Sequence, residues 1–151
     1  MQRRFIADVM VGKLARWLRV LGFDNAYSNT YTDDEIVRIA EAEDRVILTR
    51  DTGLAARRNV VSCILIESAD YPEQIRQVLR TFGLDLHASK VLSRCIECNV
   101  PLTNVDKESV RGRVPPYVYS VQEHFATCPS CRRVYWHGTH VEEMIRRITR
   151  I

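Results

Sequence analysis

The chain has 151 residues, 46% of them apolar, and carries a formal net charge of +3. A chain of this length can bury one sizeable core, or one core with a small satellite. No segment approaches the roughly 18 consecutive apolar residues of a membrane-spanning helix, and residues 1–4 lead into a predicted strand instead of a secretory signal, so we expect a soluble, cytoplasmic protein without a membrane partner.

The first predicted strand is the apolar run at residues 5–7, which ends at Asp8. Residues 12–21 then have the apolar periodicity of a helix, and Gly22 is expected to end it. The predicted apolar face of this helix consists of Met10, Leu14, Trp17, Leu18 and Leu21.

The opposite face of the helix carries Lys13, Arg16 and Arg19. A basic stripe of this kind is most often a solvated surface. Lys13 and Arg16 lie one turn from Asp8, however, and at that position they could contact a phosphate backbone.

A second helix is predicted to begin after Thr32, following a short strand candidate at residues 23–28. Thr32 and Glu35 have the spacing of a capping box. Asp33 and Asp34 therefore have a structural explanation, because carboxylates in the first turn of a helix interact favourably with its dipole. A functional role for one of them depends on other acids at the same edge of the sheet.

The strand at residues 46–49 is predicted to be buried on both faces, and Arg50 and Asp51 follow it. The carboxyl ends of parallel strands share one edge with the helices that begin there, so we expect Asp8, Asp33 and Asp51 to converge. Carboxylates suit hard cations such as Mg²⁺ or Mn²⁺, which neutralise a phosphate and activate water. The sequence therefore predicts a divalent-metal site at this edge.

Strands and helices continue to alternate further along the chain. A helical segment at residues 52–58 precedes a second buried run at residues 60–66, and a helix at residues 71–82 ends at Gly83. Cys63 is interpreted as a small core residue. This alternation predicts an α/β domain with a parallel sheet and helices on both faces.

The pattern changes after residue 84, and residues 85–91 are the best candidate for a domain boundary. We predict two domains, at residues 1–88 and 89–151. The first 90 residues have no net charge, so the whole positive excess lies in the tail.

The tail contains two Cys-x-x-Cys knuckles, which predict a tetrahedral zinc site formed by Cys95, Cys98, Cys128 and Cys131. The 29 residues between the knuckles exceed finger spacing and favour a zinc ribbon with a long insertion. Disulfides are the alternative, but they need an oxidising compartment and would leave one of five cysteines unpaired. His137 or His140 could replace a cysteine ligand. Four thiolates leave no open coordination position on the ion, so we expect the zinc to be structural and not catalytic.

A set of motifs spread over nearly the whole chain resembles a known family. The motifs are Phe5-x-x-Asp8, Gly12-Lys13-Leu14-Ala15-Arg16-Trp17-Leu18-Arg19, Leu21-Gly22, Leu48-Thr49-Arg50-Asp51, Arg94-Cys95-x-x-Cys98-Asn99, and Cys128-x-x-Cys131 with Tyr135-Trp136-x-Gly138-x-His140. In combination they are similar to the Mut-seven C-terminal RNase family.

The resemblance implies a PIN-like three-layer α/β/α domain with a C-terminal zinc ribbon, and a metal-dependent ribonuclease. It implies that Asp8, Asp33 and Asp51 bind the catalytic Mg²⁺ or Mn²⁺ and that Thr49 supplies the hydroxyl before the last acid. It also implies that the four knuckle cysteines bind zinc. The wider PIN pattern includes a mid-domain glutamate that has no clear counterpart here, so Asp24 or Asp34 could substitute.

We therefore predict that the chain hydrolyses RNA by metal-activated water. The predicted phosphate contacts are Lys13, Arg16, Arg50, Arg132 and Arg133. Tyr135 and Trp136 either offer a stacking surface for RNA or pack the ribbon against the first domain. Two alternatives are a non-catalytic RNA- or ribosome-binding module with a vestigial acidic site, and a receiver-like phosphoaspartyl protein.

Overall fold

The first part of the chain is built on a four-stranded sheet in the computed structural model, which describes residues 3–149. The strands are β1 (Phe5–Ala7), β2 (Asn25–Ala26), β3 (Val46–Thr49) and β4 (Cys63–Leu65). They are all parallel and lie in the order β2-β1-β3-β4. In register, Ala7 of β1 lies beside Leu48 of β3, so both strands end at the same edge.

Four helices flank this sheet: α1 (Gly12–Val20), α2 (Asp33–Glu43), α3 (Thr52–Ala55) and α4 (Tyr71–Phe82). The predicted capping box begins α2, because the Thr32 hydroxyl accepts the Glu35 N–H and the Glu35 carboxylate accepts the Thr32 N–H, each at 3.1 Å. Gly83 ends α4 with a φ of 60°, a conformation that costs glycine little.

Side chains alternate between the two faces of the sheet, and both faces are covered. Phe5 and Leu48 belong to a core shared with α1 and α4, whereas Ile6 and Ile47 pack against α2 and α3. The predicted three-layer α/β/α architecture with a parallel sheet is therefore confirmed.

Some predicted segments differ in extent or burial. The apolar run at residues 60–66 is not a buried strand, because Val61 is 92% exposed and Leu65 is 42% exposed. β4 is an edge strand of the sheet, so its outer side has no neighbouring strand among residues 3–149. Met10 is also exposed and not on the apolar face of α1, because it lies in a 3-10 turn (Val9–Val11) before that helix.

The second part of the chain contains an antiparallel sheet of β5 (Thr103–Val105), β6 (Phe125–Thr127) and β7 (Val134–Tyr135), in that order. The insertion between the first two strands contains a 3-10 turn (Lys107–Val110) and α5 (Pro116–Val121). A small core joins the insertion to the sheet, and it consists of Val110, Val114 and Phe125. This arrangement agrees with the predicted ribbon with a long insertion.

The last helix, α6 (Thr139–Thr149), packs back on the first part of the chain. Its residues Met144 and Ile148 share one core with Phe5, as do Val91 and Leu92. The division at residues 1–88 and 89–151 stays a prediction. Within residues 3–149, no helix is both long and apolar enough to span a membrane.

Arg19 was predicted on the exposed face of α1, but it is only 6% exposed. Its Nε donates to the carbonyl oxygen of Asn25 at 2.8 Å, and one Nη donates to the carbonyl oxygens of Ile96 at 2.7 Å and Glu97 at 3.3 Å. Ile96 and Glu97 lie inside the first knuckle. Arg19 therefore joins α1, β2 and the first knuckle.

We expect Arg19→Ala to lower the free energy of unfolding by about 2–4 kcal/mol, because it leaves buried carbonyl groups without donors. The control is Arg16→Ala. Arg16 forms an ion pair with Glu97 that is about half exposed, so its loss should cost less than about 1 kcal/mol. Urea unfolding of the zinc-loaded protein measures both changes, and equal losses would contradict the role assigned to Arg19.

Candidate active site and metal centre

Asp8 lies at the carboxyl edge of the sheet, between the ends of β1 and β3. It is 4% exposed, and its backbone N–H donates to the carbonyl oxygen of Leu48 at 3.1 Å, which extends the strand pairing by one residue. Its Oδ1 accepts the Met10 N–H at 3.0 Å, and its Oδ2 accepts the hydroxyl of Thr49. The Asp8 carboxylate is therefore fixed in one orientation.

Thr49 connects two of the predicted acids. Besides donating to Asp8, its hydroxyl oxygen accepts the backbone N–H of Asp51 at 2.9 Å. Thr49 is fully buried, so this link is protected from water. The Thr49 hydroxyl therefore orients Asp8 and the turn that carries Asp51, and its role in catalysis stays a prediction.

The charge of Asp8 is not compensated by a basic side chain. Among the described residues, no Lys, Arg or His forms an ion pair with its carboxylate. Burial raises the pKa of Asp8, and the nearby carboxylates of Asp33 and Asp51 raise it further, against the hydrogen bonds from Thr49 and Met10. An ionised Asp8 would therefore carry an uncompensated buried charge. Within residues 3–149, the carboxylates of Asp8, Asp33 and Asp51 do not form a group as tight as that of the four knuckle cysteines.

Asp8→Asn is expected to raise the free energy of unfolding at pH 7 in metal-free buffer. A raised folded-state pKa means that the native protein favours the protonated carboxyl, so wild-type stability falls as the pH rises from about 3.8 through that folded-state pKa. The neutral amide does not titrate. The advantage of the variant should therefore be small near pH 4 and largest at neutral pH, as urea unfolding at both values would measure. A variant less stable than wild type at pH 7 would contradict this.

Asp51 and Asp33 complete what we call the acidic rim, defined as Asp8, Asp33 and Asp51. Asp51 caps α3, with its Oδ1 accepting the Gly53 N–H at 2.8 Å and the Leu54 N–H at 3.4 Å. Asp33 is in the first turn of α2. Both are near enough to act electrostatically on Asp8. The helix-capping explanation and a metal-binding role are compatible, since a carboxylate has more than one acceptor position.

Asp34 and Asp24, the two candidates for a fourth acid, lie in different places. Asp34 is beside Asp33 and binds Arg57. Asp24 is at the opposite, amino edge of the sheet, where its carbonyl accepts the Phe5 N–H. Although burial would raise the pKa of Asp24, hydrogen bonds from Arg45 and Asn99 hold it below its usual value. Asp24 is therefore a structural ion-pair residue outside the acidic rim.

The predicted phosphate contacts are distributed over the surface. Lys13 lies over the ring of Tyr71, 5.2 Å from its centre, and Arg50 donates weakly to the Glu67 carbonyl at 3.4 Å. Arg16 is turned toward Glu97 of the first knuckle. Arg132 and Arg133 are exposed and follow the second knuckle.

Arg57 lies beside the acidic rim and was not predicted to do so. Its Nη1 contacts Asp34 Oδ1 at 2.6 Å and its Nη2 lies 3.9 Å from Asp33 Oδ2. One feature of the sequence could have indicated this position. Arg57 lies near the end of the predicted helical segment 52–58, and that segment begins at the same edge of the sheet as Asp51. Sequence alone did not show that this segment turns toward α2.

The four predicted zinc ligands lie together at one point. The sulfur atoms of Cys95, Cys98, Cys128 and Cys131 are all within 4.8 Å of one another. The Cys95 and Cys131 sulfurs are 3.6 Å apart, close to the ~3.8 Å of two thiolates at tetrahedral positions about zinc. All four are free thiols, so the disulfide alternative is wrong. Neither His137 nor His140 belongs to the group.

The chemistry of these thiols also fits a metal. A hydrogen bond from the backbone of Arg133 lowers the pKa of Cys131 to about 6, whereas burial and the three neighbouring thiols raise that of Cys98 to about 12. Four thiolates cannot share this volume without a cation. Backbone N–H groups of Ser130 and Cys131 both point to the Cys128 sulfur at 3.4 Å, as knuckle turns do for a bound thiolate.

Tyr135 and Trp136 hold the ribbon in place. The Tyr135 hydroxyl accepts the Ile96 N–H at 3.0 Å and lies 3.2 Å from the Cys95 sulfur, and its ring packs against the main core. Trp136 meets Phe125 edge-on in the small core. These contacts favour the packing interpretation over the stacking one.

Comparison with protein-family models matches the Mut7-C RNAse domain over residues 3–148. No curated protein and no solved structure matches the chain. The matched range contains the acidic rim and the four knuckle cysteines, and the resemblance inferred from the motifs is confirmed. Membership implies a ribonuclease and thus an RNA substrate. The chain belongs to the Mut7-C RNAse domain family.

Proposed function

We propose that the protein is a Mg²⁺- or Mn²⁺-dependent ribonuclease that hydrolyses RNA phosphodiester bonds at the acidic rim. The observation that carries the proposal is the buried Asp8 carboxylate, which is fixed by Thr49, lies within electrostatic reach of Asp33 and Asp51, and has no basic partner among residues 3–149. A site that accumulates negative charge at the expense of stability is typical of metal binding.

Asp8, Asp33 and Asp51 would hold the metal, and Thr49 would keep Asp8 and the Asp51 turn in position. A bound Mg²⁺ or Mn²⁺ would neutralise the phosphate and lower the pKa of a water molecule. In the hydrolysis, the water oxygen would bond to phosphorus as the bond to the leaving sugar oxygen breaks, and that sugar oxygen would take up a proton from solvent. Asp34, beside Asp33 and largely exposed, would act as an outer helper that accepts a proton from water.

The four-cysteine group would hold Zn²⁺ as a structural ion. The ribbon that this ion stabilises would assist RNA binding through its surface. Arg132 lines an open depression together with Arg113, Thr127 and Pro129. An Nη of Arg113 donates to the carbonyl oxygen of Arg132 at 2.6 Å. Neither guanidinium has an acidic partner among the described residues. With Arg133, this surface suits the phosphate backbone of a single strand.

The test is cleavage of a labelled single-stranded RNA by the zinc-loaded protein. Cleavage should stop when Mg²⁺ and Mn²⁺ are withheld and return when either is added, with the zinc content unchanged. RNA binding without cleavage under all metal conditions would overturn the proposal. That result would favour the alternative of a non-catalytic RNA- or ribosome-binding module. In such a module, Asp33 and Asp34 would serve only to begin α2 and to form ion pairs with Arg57.

A further inference from the structure

Arg57 is held beside the acidic rim by a short turn after α3. Its backbone N–H donates to the carbonyl oxygen of Leu54 at 3.2 Å, and this turn directs the chain back toward the start of α2. The guanidinium reaches Asp34 at 2.6 Å and Asp33 at 3.9 Å. It also lies within electrostatic reach of Asp51. Its charge is therefore located where the proposed metal and RNA phosphate would meet.

The ion pair of Arg57 with Asp34 is easily exchanged. The side chain of Arg57 is 35% exposed and that of Asp34 is 84% exposed. Exposed ion pairs add little stability, because water and salt screen them. A phosphate can take over the guanidinium at little cost, and it matches the planar fork of Arg with two parallel hydrogen bonds.

The three basic residues near this edge that were predicted to contact phosphate have other contacts. Arg16 is turned to Glu97, Lys13 lies on the ring of Tyr71, and an Nη of Arg50 donates weakly to the Glu67 carbonyl. None of these three forms an ion pair with an acid of the rim in the described part of the chain. Arg57 does so through Asp33.

We propose that Arg57 is a substrate-positioning residue that leaves Asp34 and donates both Nη groups to a phosphate of the bound RNA. The inference rests on the proposed function, because it takes the acidic rim as the place where RNA is cut. It assigns Asp34 a second role, as the resting partner that competes with RNA for the guanidinium. Removing Asp34 should then strengthen RNA binding, and only while Arg57 is present.

The test measures RNA binding separately from cleavage. In an Asp8→Asn background, fluorescence anisotropy gives the affinity for a labelled single-stranded oligoribonucleotide over a range of salt concentrations. Arg57→Gln should weaken binding about fivefold or more and reduce the salt slope by about one, and Arg57→Lys should recover part of the affinity. The matched control is Arg58→Gln, because Arg58 is exposed and has no ion pair among residues 3–149. It should change affinity less than about twofold.

A double-mutant cycle separates a phosphate contact from a general charge effect. Asp34→Asn should tighten binding when Arg57 is intact and should leave it unchanged with Arg57→Gln. Equal weakening by Arg57→Gln and Arg58→Gln, or equal tightening by Asp34→Asn in both backgrounds, would overturn the inference. If the wild type fails to cleave with Mg²⁺ or Mn²⁺ while the cycle still shows coupling, the proposed function fails and the phosphate contact stands.

Discussion

Asp8→Asn and Asp51→Asn are each expected to reduce metal-dependent RNA cleavage by more than about 100-fold. Loss of an outer partner of a metal site typically costs about 10–100-fold, and these changes remove proposed direct ligands. Asn presents one weakly basic oxygen where the carboxylate presents two charged ones, so the affinity for Mg²⁺ or Mn²⁺ should fall as well. Cleavage kinetics and Mn²⁺ titration measure the two effects independently.

Both variants should remain folded, so a loss of cleavage would result from the missing carboxylate and not from unfolding. The Asn oxygen at position 8 can still accept the Met10 N–H, and Asn is as good a helix cap as Asp at position 51. The matched control is Asp44→Asn, which removes a carboxylate from the far end of α2. Asp44 has a φ of 53°, and Asn tolerates this conformation well. Wild-type cleavage and Mn²⁺ affinity in both rim variants would contradict the proposed function.

Cys95→Ser and Cys128→Ser are expected to abolish stoichiometric zinc binding and to unfold the antiparallel sheet. Both thiols are buried, and structural zinc sites contribute about 10–16 kcal/mol of apparent folding free energy. The antiparallel sheet has three short strands and a small core of its own, and the knuckles connect it to the contacts that Tyr135 makes with the main core, so we expect it to depend strongly on the ion. Zinc content by atomic emission and thermal unfolding by circular dichroism measure the two consequences.

Cys63→Ser provides the control for these variants. Cys63 begins β4 and lies outside the four-cysteine group, so its replacement should leave one zinc bound per chain and change stability by no more than about 1 kcal/mol. Zinc-free Cys95→Ser protein with the unfolding profile of the wild type would contradict a structural role for the ion.

The four-cysteine group and the acidic rim lie toward opposite edges of the parallel sheet. Asn99, directly after the first knuckle, accepts the Asn25 N–H at 3.0 Å and donates to Asp24 at 2.7 Å, both at the amino edge. The acidic rim occupies the carboxyl edge. Zinc removal should therefore lower cleavage only as far as it unfolds the protein, and activity should follow the folded fraction.

Several features of this protein were determined by local sequence. The capping box at Thr32 and Glu35, the helix end at Gly83 and the buried strand at residues 46–49 all depend on residues close together in the chain. The two knuckles likewise specify a four-thiolate centre, because a two-residue gap turns both cysteines toward one ion. In each case the residues that determine the feature lie within one turn or one strand, so the local order of side chains is enough to predict it.

Other features were decided by the tertiary structure. Arg19 has the helical position of a surface residue, yet it is buried because the first knuckle, 77 residues later, packs over it. Asp24 and Asp34 were equal candidates by sequence, but strand direction places Asp24 at the amino edge of the sheet. Arg57 reaches Asp34 only because α3 turns back toward α2. Local patterns set which face a side chain occupies within its own element, whereas its partners depend on which distant element covers that face.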